Sequence, residues 1–208
     1  MSTLLRLDTS ILGDNSVSRC LLDELETRLR NVLGPLAVVY RDFNSEPVPH
    51  LDAQWLQALT TAPEDRSSEQ QRQADYSDNL VSELQSAEIL LIGLPMYNFS
   101  VPSMLKAWND HVARAGVTFE YSESGPRGLL ENKKAYLVAT MGGQHEPEET
   151  DYLRPYMKQF LGFLGITDIE FVTASGLNLG AEHRQSGLDR ALNRISRIPA
   201  NASKEKAA

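Results

Sequence analysis

Apolar residues recur along the chain in two alternating rhythms. Short runs at Leu4, Leu5 and Leu7, at Leu36 to Tyr40, Ile89 to Ile92, Ala135 to Thr140 and Ile169 to Ala174 predict β-strands. Between them stand stripes at helical spacing. The first holds Leu22, Leu25, Leu29 and Val32, and another holds Leu80, Val81 and Leu84. Met104, Leu105, Trp108 and Val112 form the next; Leu153, Tyr156, Met157, Phe160, Leu161 and Leu164 follow, then Leu188, Leu192 and Ile195. A shorter helical segment covers Leu51 to Leu59. Gly34-Pro35 stops the first helix, Ser67-x-x-Gln70 is a capping-box start for the helix before Ile89, and Gly116 follows the Trp108 helix. The stretch through Gly125 and Gly128 predicts a loop.

Ile89-Leu90-Leu91-Ile92 is continuously apolar and ends at Pro95, as expected of a central parallel strand covered on both sides. Five strands separated by helices predict a doubly wound α/β domain, because right-handed crossovers put helices on both faces of a parallel sheet. At 208 residues a single domain over positions 1–198 is expected, with 199–208 as a flexible tail. Twenty Lys and Arg against 28 Asp and Glu give a net charge of −8, which repels a nucleic-acid backbone. Cys20 is the single cysteine, so no internal disulfide forms and a reducing, cytoplasmic setting is expected. The longest apolar run, Ile89 to Met96, falls far short of the ~20 residues that a membrane-spanning helix needs. Arg6 and Asp8 interrupt the apolar start that an export signal would require.

In such a sheet, ligands bind beyond the carboxyl ends of the strands, near the point where strand order reverses. After the first strand, Ser10, Ser16 and Ser18 surround the start of a helix. Hydroxyls and free N–H groups there can hold a phosphate without lysine, although Ser16 or Ser18 alone is also an ordinary helix cap. After the third strand comes Pro95-Met96-Tyr97-Asn98-Phe99-Ser100, and after the fourth Thr140-Met141-Gly142-Gly143-Gln144-His145. Tyr97 and Phe99 would wall a slot, Asn98 can both donate and accept at a heterocycle edge, and Gly142 and Gly143 let backbone approach a flat ring. Each loop alone reads equally as core aromatics and a chain turn. Together, the three suit a phosphorylated flat cofactor, with FMN the obvious candidate. Neither Gly-x-Gly-x-x-Gly nor a P-loop occurs.

The chain resembles the FMN-dependent NADH-azoreductases, also described as NADH:quinone oxidoreductases, of the flavodoxin-like fold, from Leu4 to about Leu192. The most specific segments are Pro95-Met96-Tyr97-Asn98-Phe99, Ala113-Arg114-Ala115-Gly116-Val117-Thr118-Phe119, Gly142-Gly143 with His145, and Phe160-Leu161-Gly162-Phe163-Leu164-Gly165-Ile166. The resemblance implies a five-stranded parallel sheet of order 2-1-3-4-5. It implies one FMN per subunit, with Ser10, Ser16, Val17 and Ser18 on the phosphate, Met96, Tyr97, Asn98 and Phe99 bordering the isoalloxazine, and Thr140, Met141, Gly142 and Gly143 at its other edge. Some relatives carry arginine where Met141 stands. The resemblance further implies a homodimer with sites at the interface, Tyr121 and Phe163 shaping the acceptor pocket, and His145 near the flavin. Its activity would be hydride transfer from NADH to FMN, then two-electron reduction of quinones or azo compounds, with NAD leaving first. His145 is a candidate for proton delivery, since an unperturbed histidine pKa of about 6.5 lies near neutrality, or for ordering the Gly143 loop.

The alternative function is a non-enzymatic electron-transfer flavodoxin, against which stands the lack of an acidic cluster around Tyr97 and Phe99. A signalling receiver would need an aspartate where this chain has Leu94-Pro95. His111 reads as a packing or surface histidine, Trp108 as core and Cys20 as a small buried residue; no metal-ligand spacing is present. Glu146, Glu148 and Glu149 read as a solvated acidic loop, and Ser175-Gly176 as a turn.

Overall fold

The computed structural model describes residues 1–145 and 149–199. Glu146 and Glu148 of the acidic run, and positions 200–208 of the expected tail, lie outside the described residues.

The strands are β1 (Ser2–Asp8), β2 (Leu36–Asp42), β3 (Ile89–Pro95), β4 (Phe119–Ser122), β5 (Gly125–Gly128), β6 (Lys134–Thr140) and β7 (Asp168–Ala174). The helices are α1 (Val17–Leu33), α2 (Ala53–Thr60), α3 (Ser68–Ser86), α4 (Ser103–Val112), α5 (Leu153–Phe163) and α6 (Ala181–Ser196). The main sheet is parallel with order β2-β1-β3-β6-β7, the expected flavodoxin-like arrangement.

Strand periodicity of two divides the interior into two cores. Leu5, Leu7, Leu90, Ile92 and Leu137 point to one face, where α3, α4 and α5 supply Leu80, Leu84, Trp108, Met157 and Leu161. Leu4, Ile89, Leu91, Tyr136 and Val138 point to the other, against Leu22, Leu25 and Leu29 of α1 and Ala191 and Ile195 of α6. β3 is buried along its whole length, which accounts for its unbroken apolar sequence. Gly34, at φ 85°, ends α1, and the reciprocal Ser67–Gln70 capping box starts α3.

Three expectations are corrected. The stretch through Gly125 and Gly128 is an antiparallel hairpin, with Phe119 opposite Gly128 and Tyr121 opposite Pro126. Its only buried strand residue is Phe119, so period-two alternation is invisible in the sequence. The hairpin is held by backbone: a Cβ on Gly128 would fall 2.0 Å from the Gly165 nitrogen. Cys20 is exposed, because it lies on the opposite side of α1 from the buried Leu21, Leu22 and Leu25. Leu192 is 41% exposed, since α6 buries Gly187, Ala191 and Ile195, which places Leu192 off the apolar seam.

His111 is a packing histidine. It is fully buried, with Ser77 Oγ 2.7 Å from Nδ1, the Pro49 carbonyl 3.0 Å from Nε2, and the Trp55 and Tyr76 rings edge-on to it. Trp108 is likewise buried. No group of His, Cys, Asp or Glu among the described residues could hold a metal ion.

Candidate functional site

The loops following β1, β3 and β6 meet at the carboxyl edge of the sheet. The first is anchored by Thr9, whose hydroxyl donates to the Gly93 carbonyl at 2.6 Å. Ser10, Ser16 and Ser18 are all buried, and the Ser16 and Ser18 hydroxyls lie 2.9 Å apart. Ser16 caps α1 by accepting from the Arg19 N–H at 3.3 Å. The N–H groups of Val17 and Ser18, at the positive end of the α1 dipole, have no acceptor among the described residues, and the first turn carries no acidic residue. Two hydroxyls, two free N–H groups and a helix dipole therefore converge, a donor set suited to an anion.

The second loop makes a tight reversal. Tyr97 and Ser100 exchange backbone hydrogen bonds of 3.1 Å in both directions across Asn98 and Phe99, which have φ of 50° and 70°. Consecutive positive φ values characterise a type I′ turn, where Asn-Gly is the usual pair. Phenylalanine here holds a strained conformation, and its ring is 50% exposed. The turn turns Tyr97 inward and Phe99 outward: Tyr97 reaches the first loop, with its hydroxyl 3.2 Å from that of Ser10 and accepting from the Ile11 N–H at 3.3 Å.

The third loop leaves β6 at Thr140. Its carbonyls are consumed by the loop after β7: Leu177 N–H donates to Met141, Asn178 N–H to Gly142 and Gly176 N–H to Gly143. The N–H groups of Gly142 and Gly143, like those of Asn98 and Phe99, have no acceptor among the described residues. A Cβ on Gly142 would come 2.6 Å from Asn178 Nδ2, and one on Gly143 3.1 Å from His145 Nε2. Part of the demand for glycine is thus internal, a constraint that sequence reading did not contain. His145 accepts or donates at Nδ1 with the Thr150 hydroxyl at 3.1 Å, and its ring stands edge-on to Phe99, 5.8 Å between centroids. Met141 is buried in the core beneath the loop.

A cavity of about 840 Å³, within the usual range for small-molecule sites, opens beside this turn. Met96, Tyr97 and Asn98 line it with Ile11, Ser103 and Tyr156. Ser10, Ser16, Val17, Ser18, Phe99, Thr140, Met141, Gly142 and Gly143 do not line it; Tyr97 links the cavity to the serine cradle through its hydroxyl, 3.2 Å from that of Ser10. Tyr121 and Phe163 are also off its lining. They form a separate aromatic strip through Phe119, whose ring is 4.3 Å from Phe163 and 5.4 Å from Tyr121. Tyr156 and Ile11 were not singled out from sequence, because only the fold brings α5 and the first loop to the same opening.

A family model described as flavodoxin-like fold matches residues 2–198. The FMN-dependent NADH:quinone oxidoreductase of Cellvibrio japonicus (strain Ueda107) is 47% identical over 180 residues, covering 86% of this chain and 90% of that protein. The protein of the same name from Vibrio vulnificus (strain YJ016) is 46% identical over 200 residues, covering 96% of this chain and all of that one. Among solved structures, an FMN-dependent NADH-azoreductase from Bacillus anthracis str. Ames Ancestor in complex with FMN superposes with a TM-score of 0.84. At 24% identity, and covering 95% of this chain and 99% of that one, it shares the fold. With the family model spanning the sheet and all its helices, and curated relatives such as these at 46–47% identity, the chain belongs to the flavodoxin-like family.

Proposed function

We propose that the protein is an FMN-dependent oxidoreductase that takes a hydride from NADH and reduces quinones or azo compounds. One observation carries this reading: Tyr97, which lines the cavity with Met96, Asn98 and Tyr156, places its hydroxyl beside Ser10 of the hydroxyl and N–H cradle at the start of α1. A phosphate and a flat ring are the two ends of FMN. Ser10, Ser16, Val17 and Ser18 would hold the phosphate, Met96 through Phe99 one side of the ring, and Thr140 through Gly143 the other. The chemistry that FMN supplies when bound is acceptance of a hydride from a nicotinamide and release of two electrons to an acceptor.

The chain's own contribution is position, hydrogen bonding and exclusion of water. The unpaired N–H groups of Asn98, Phe99, Gly142 and Gly143 are available to a heterocycle edge. His145 could deliver a proton from Nε2, while the Thr150 contact at Nδ1 fixes its ring.

The same reading includes a homodimer. Tyr121 is 77% exposed on the hairpin and Phe99 50% exposed on the turn, and a second subunit could cover both and bring Tyr121 and Phe163 to the acceptor site. The single cysteine and net charge of −8 agree with a cytoplasmic setting and with no nucleic-acid partner. No helix among the described residues is long and apolar enough to cross a membrane.

The test is to supply FMN to the purified chain and follow its absorption. Bleaching by NADH and recovery on adding a quinone or azo acceptor is the expected result, with parallel double-reciprocal plots if donor and acceptor use one place in turn. A chain that binds FMN but oxidises NADH only when another protein is added is an electron-transfer flavodoxin.

A further inference from the structure

The guanidinium of Arg19 meets three carboxylates at once. Nε lies 2.8 Å from Asp8 Oδ2, Nη1 2.7 Å from Asp14 Oδ1, and Nη2 2.5 Å from Asp42 Oδ2. The three come from separate parts of the fold: Asp8 ends β1, Asp42 ends β2, and Asp14 lies in the 3-10 turn Gly13–Asn15 just before the helix cap Ser16. Arg19 directly follows Ser18, and its own N–H is the group that Ser16 caps. One cation is thus shared among three anions beside the serine hydroxyls.

The consequence is electrostatic. Nη1 and Nη2 of Arg19 donate to Asp14 and Asp42, while Nε lies close to Asp8 without a hydrogen bond, so the guanidinium is committed to carboxylates and the cradle must hold an anion on neutral hydroxyls and N–H groups. Such donors bind a doubly charged phosphate well only if the surroundings are not themselves negative, and repulsion from an exposed carboxylate such as Asp14 is felt most at low salt. Asp14, with a side chain 97% exposed, has no packing reason to reach Arg19. Asp8 has a second source of support, with Arg6 Nε 2.9 Å away and the Tyr40 hydroxyl 3.2 Å away. Arg19 is therefore needed more for charge balance than for satisfying Asp8.

We propose that Arg19 is a positioning residue of the cofactor site: it touches no phosphate, but offsets part of the field of Asp8, Asp14 and Asp42 so that the serine cradle accepts a dianion. The inference rests on the flavin reading above. It assigns Arg19 the preference for a phosphorylated flavin over an unphosphorylated one.

Flavin-free full-length protein is titrated with FMN and with riboflavin, by fluorescence, at low salt and at about 0.5 M salt. Arg19→Met should weaken FMN about tenfold or more at low salt while leaving riboflavin within about twofold, and the deficit should shrink at high salt. Adding Asp14→Asn should restore part of the loss, and Arg19→Lys should retain most of the affinity. Equal weakening of both flavins, or a loss that salt does not change, overturns the proposal. If Arg19→Met does not fold, Asp14→Asn alone decides. Tighter FMN with unchanged riboflavin supports the charge balance, and unchanged or weaker FMN overturns it. A wild type that binds neither flavin overturns the flavin reading and this inference with it. A wild type that prefers FMN, with the preference intact in Arg19→Met, overturns the Arg19 role alone.

Discussion

The Tyr97 hydroxyl lies 3.2 Å from the Ser10 hydroxyl and accepts the Ile11 N–H at 3.3 Å, tying the loop after β3 to the loop after β1. Tyr97→Phe removes both contacts with little change in shape. A hydrogen bond of this kind contributes about 0.5–1.5 kcal/mol, so the denaturant midpoint should fall by a corresponding amount. FMN affinity should fall too, because the cradle and the ring slot are no longer held in register. An unchanged FMN affinity in the folded variant would show that the two loops are positioned independently.

Ser16 has two roles that can be separated. As the cap of α1 it supports the fold by about 1 kcal/mol, and together with Ser18 it supplies hydroxyls to the proposed phosphate site. The double variant Ser16→Ala with Ser18→Ala should lose FMN affinity by roughly 1.5–3 kcal/mol per hydrogen bond to the charged group. Riboflavin affinity, measured alongside, should change little. Equal losses for both ligands would leave the serines as structural caps.

Phe99 holds φ at 70° in a turn that ordinarily uses glycine. Phe99→Gly should relieve about 1 kcal/mol of backbone strain and raise the denaturant midpoint. The same change removes an exposed wall of the site, so KM for a quinone acceptor should rise. A variant that is both more stable and fully active would assign the strained ring no function.

His145→Asn tests the proton-delivery role by stopped flow. Slower acceptor reduction with an altered pH profile, beside near-normal oxidation of NADH, is expected of a group that hands over protons. Weaker FMN binding with both half-reactions impaired would instead mark His145 as a support for the Gly143 loop, against which its Nε2 rests.

Burial holds the His111 imidazole below the ordinary histidine pKa. The Pro49 carbonyl requires the hydrogen on Nε2, which leaves Nδ1 to accept from Ser77. The unfolded chain takes up the proton near pH 6.5, about the unperturbed value, and the folded protein only at lower pH. The stability that the neutral ring supplies is therefore intact above about pH 6.5 and is lost as pH falls from there towards the folded value. Denaturant midpoints should decline between about pH 7 and pH 5, and less steeply in His111→Gln. Equal slopes would remove His111 from the pH response.

What could be read in the sequence was whatever local pattern determines. The apolar run of β3, the Ser67–Gln70 capping box and the Gly34 stop each occupy adjacent positions and were legible. The hairpin was not, since Glu120, Ser122 and Pro126 give no alternation and its closure depends on Gly165, far away in the chain. The candidate site divides the same way. Ser16 announces itself beside a helix start, whereas the Tyr97–Ser10 contact, the Asn178 packing on Gly142 and the Arg19 cluster join residues from different loops. The type I′ turn at Asn98 and Phe99 was hidden because phenylalanine occupies the glycine position.

The hydrogen bond from Thr9 to the Gly93 carbonyl joins residues 84 positions apart. β1 leaves the ribosome first, yet its inner neighbour in the sheet, β3, is made only after two further crossovers have been synthesised. At roughly 5–20 residues per second this interval is roughly 4–17 s. During that time the apolar Leu4, Leu5 and Leu7 can pair only with β2, on the outer side of the sheet. The contact that carries Tyr97 to Ser10 therefore forms only once β3 pairs with β1, and the carboxyl edge is complete only after β6 adds the loop of Gly142 and Gly143.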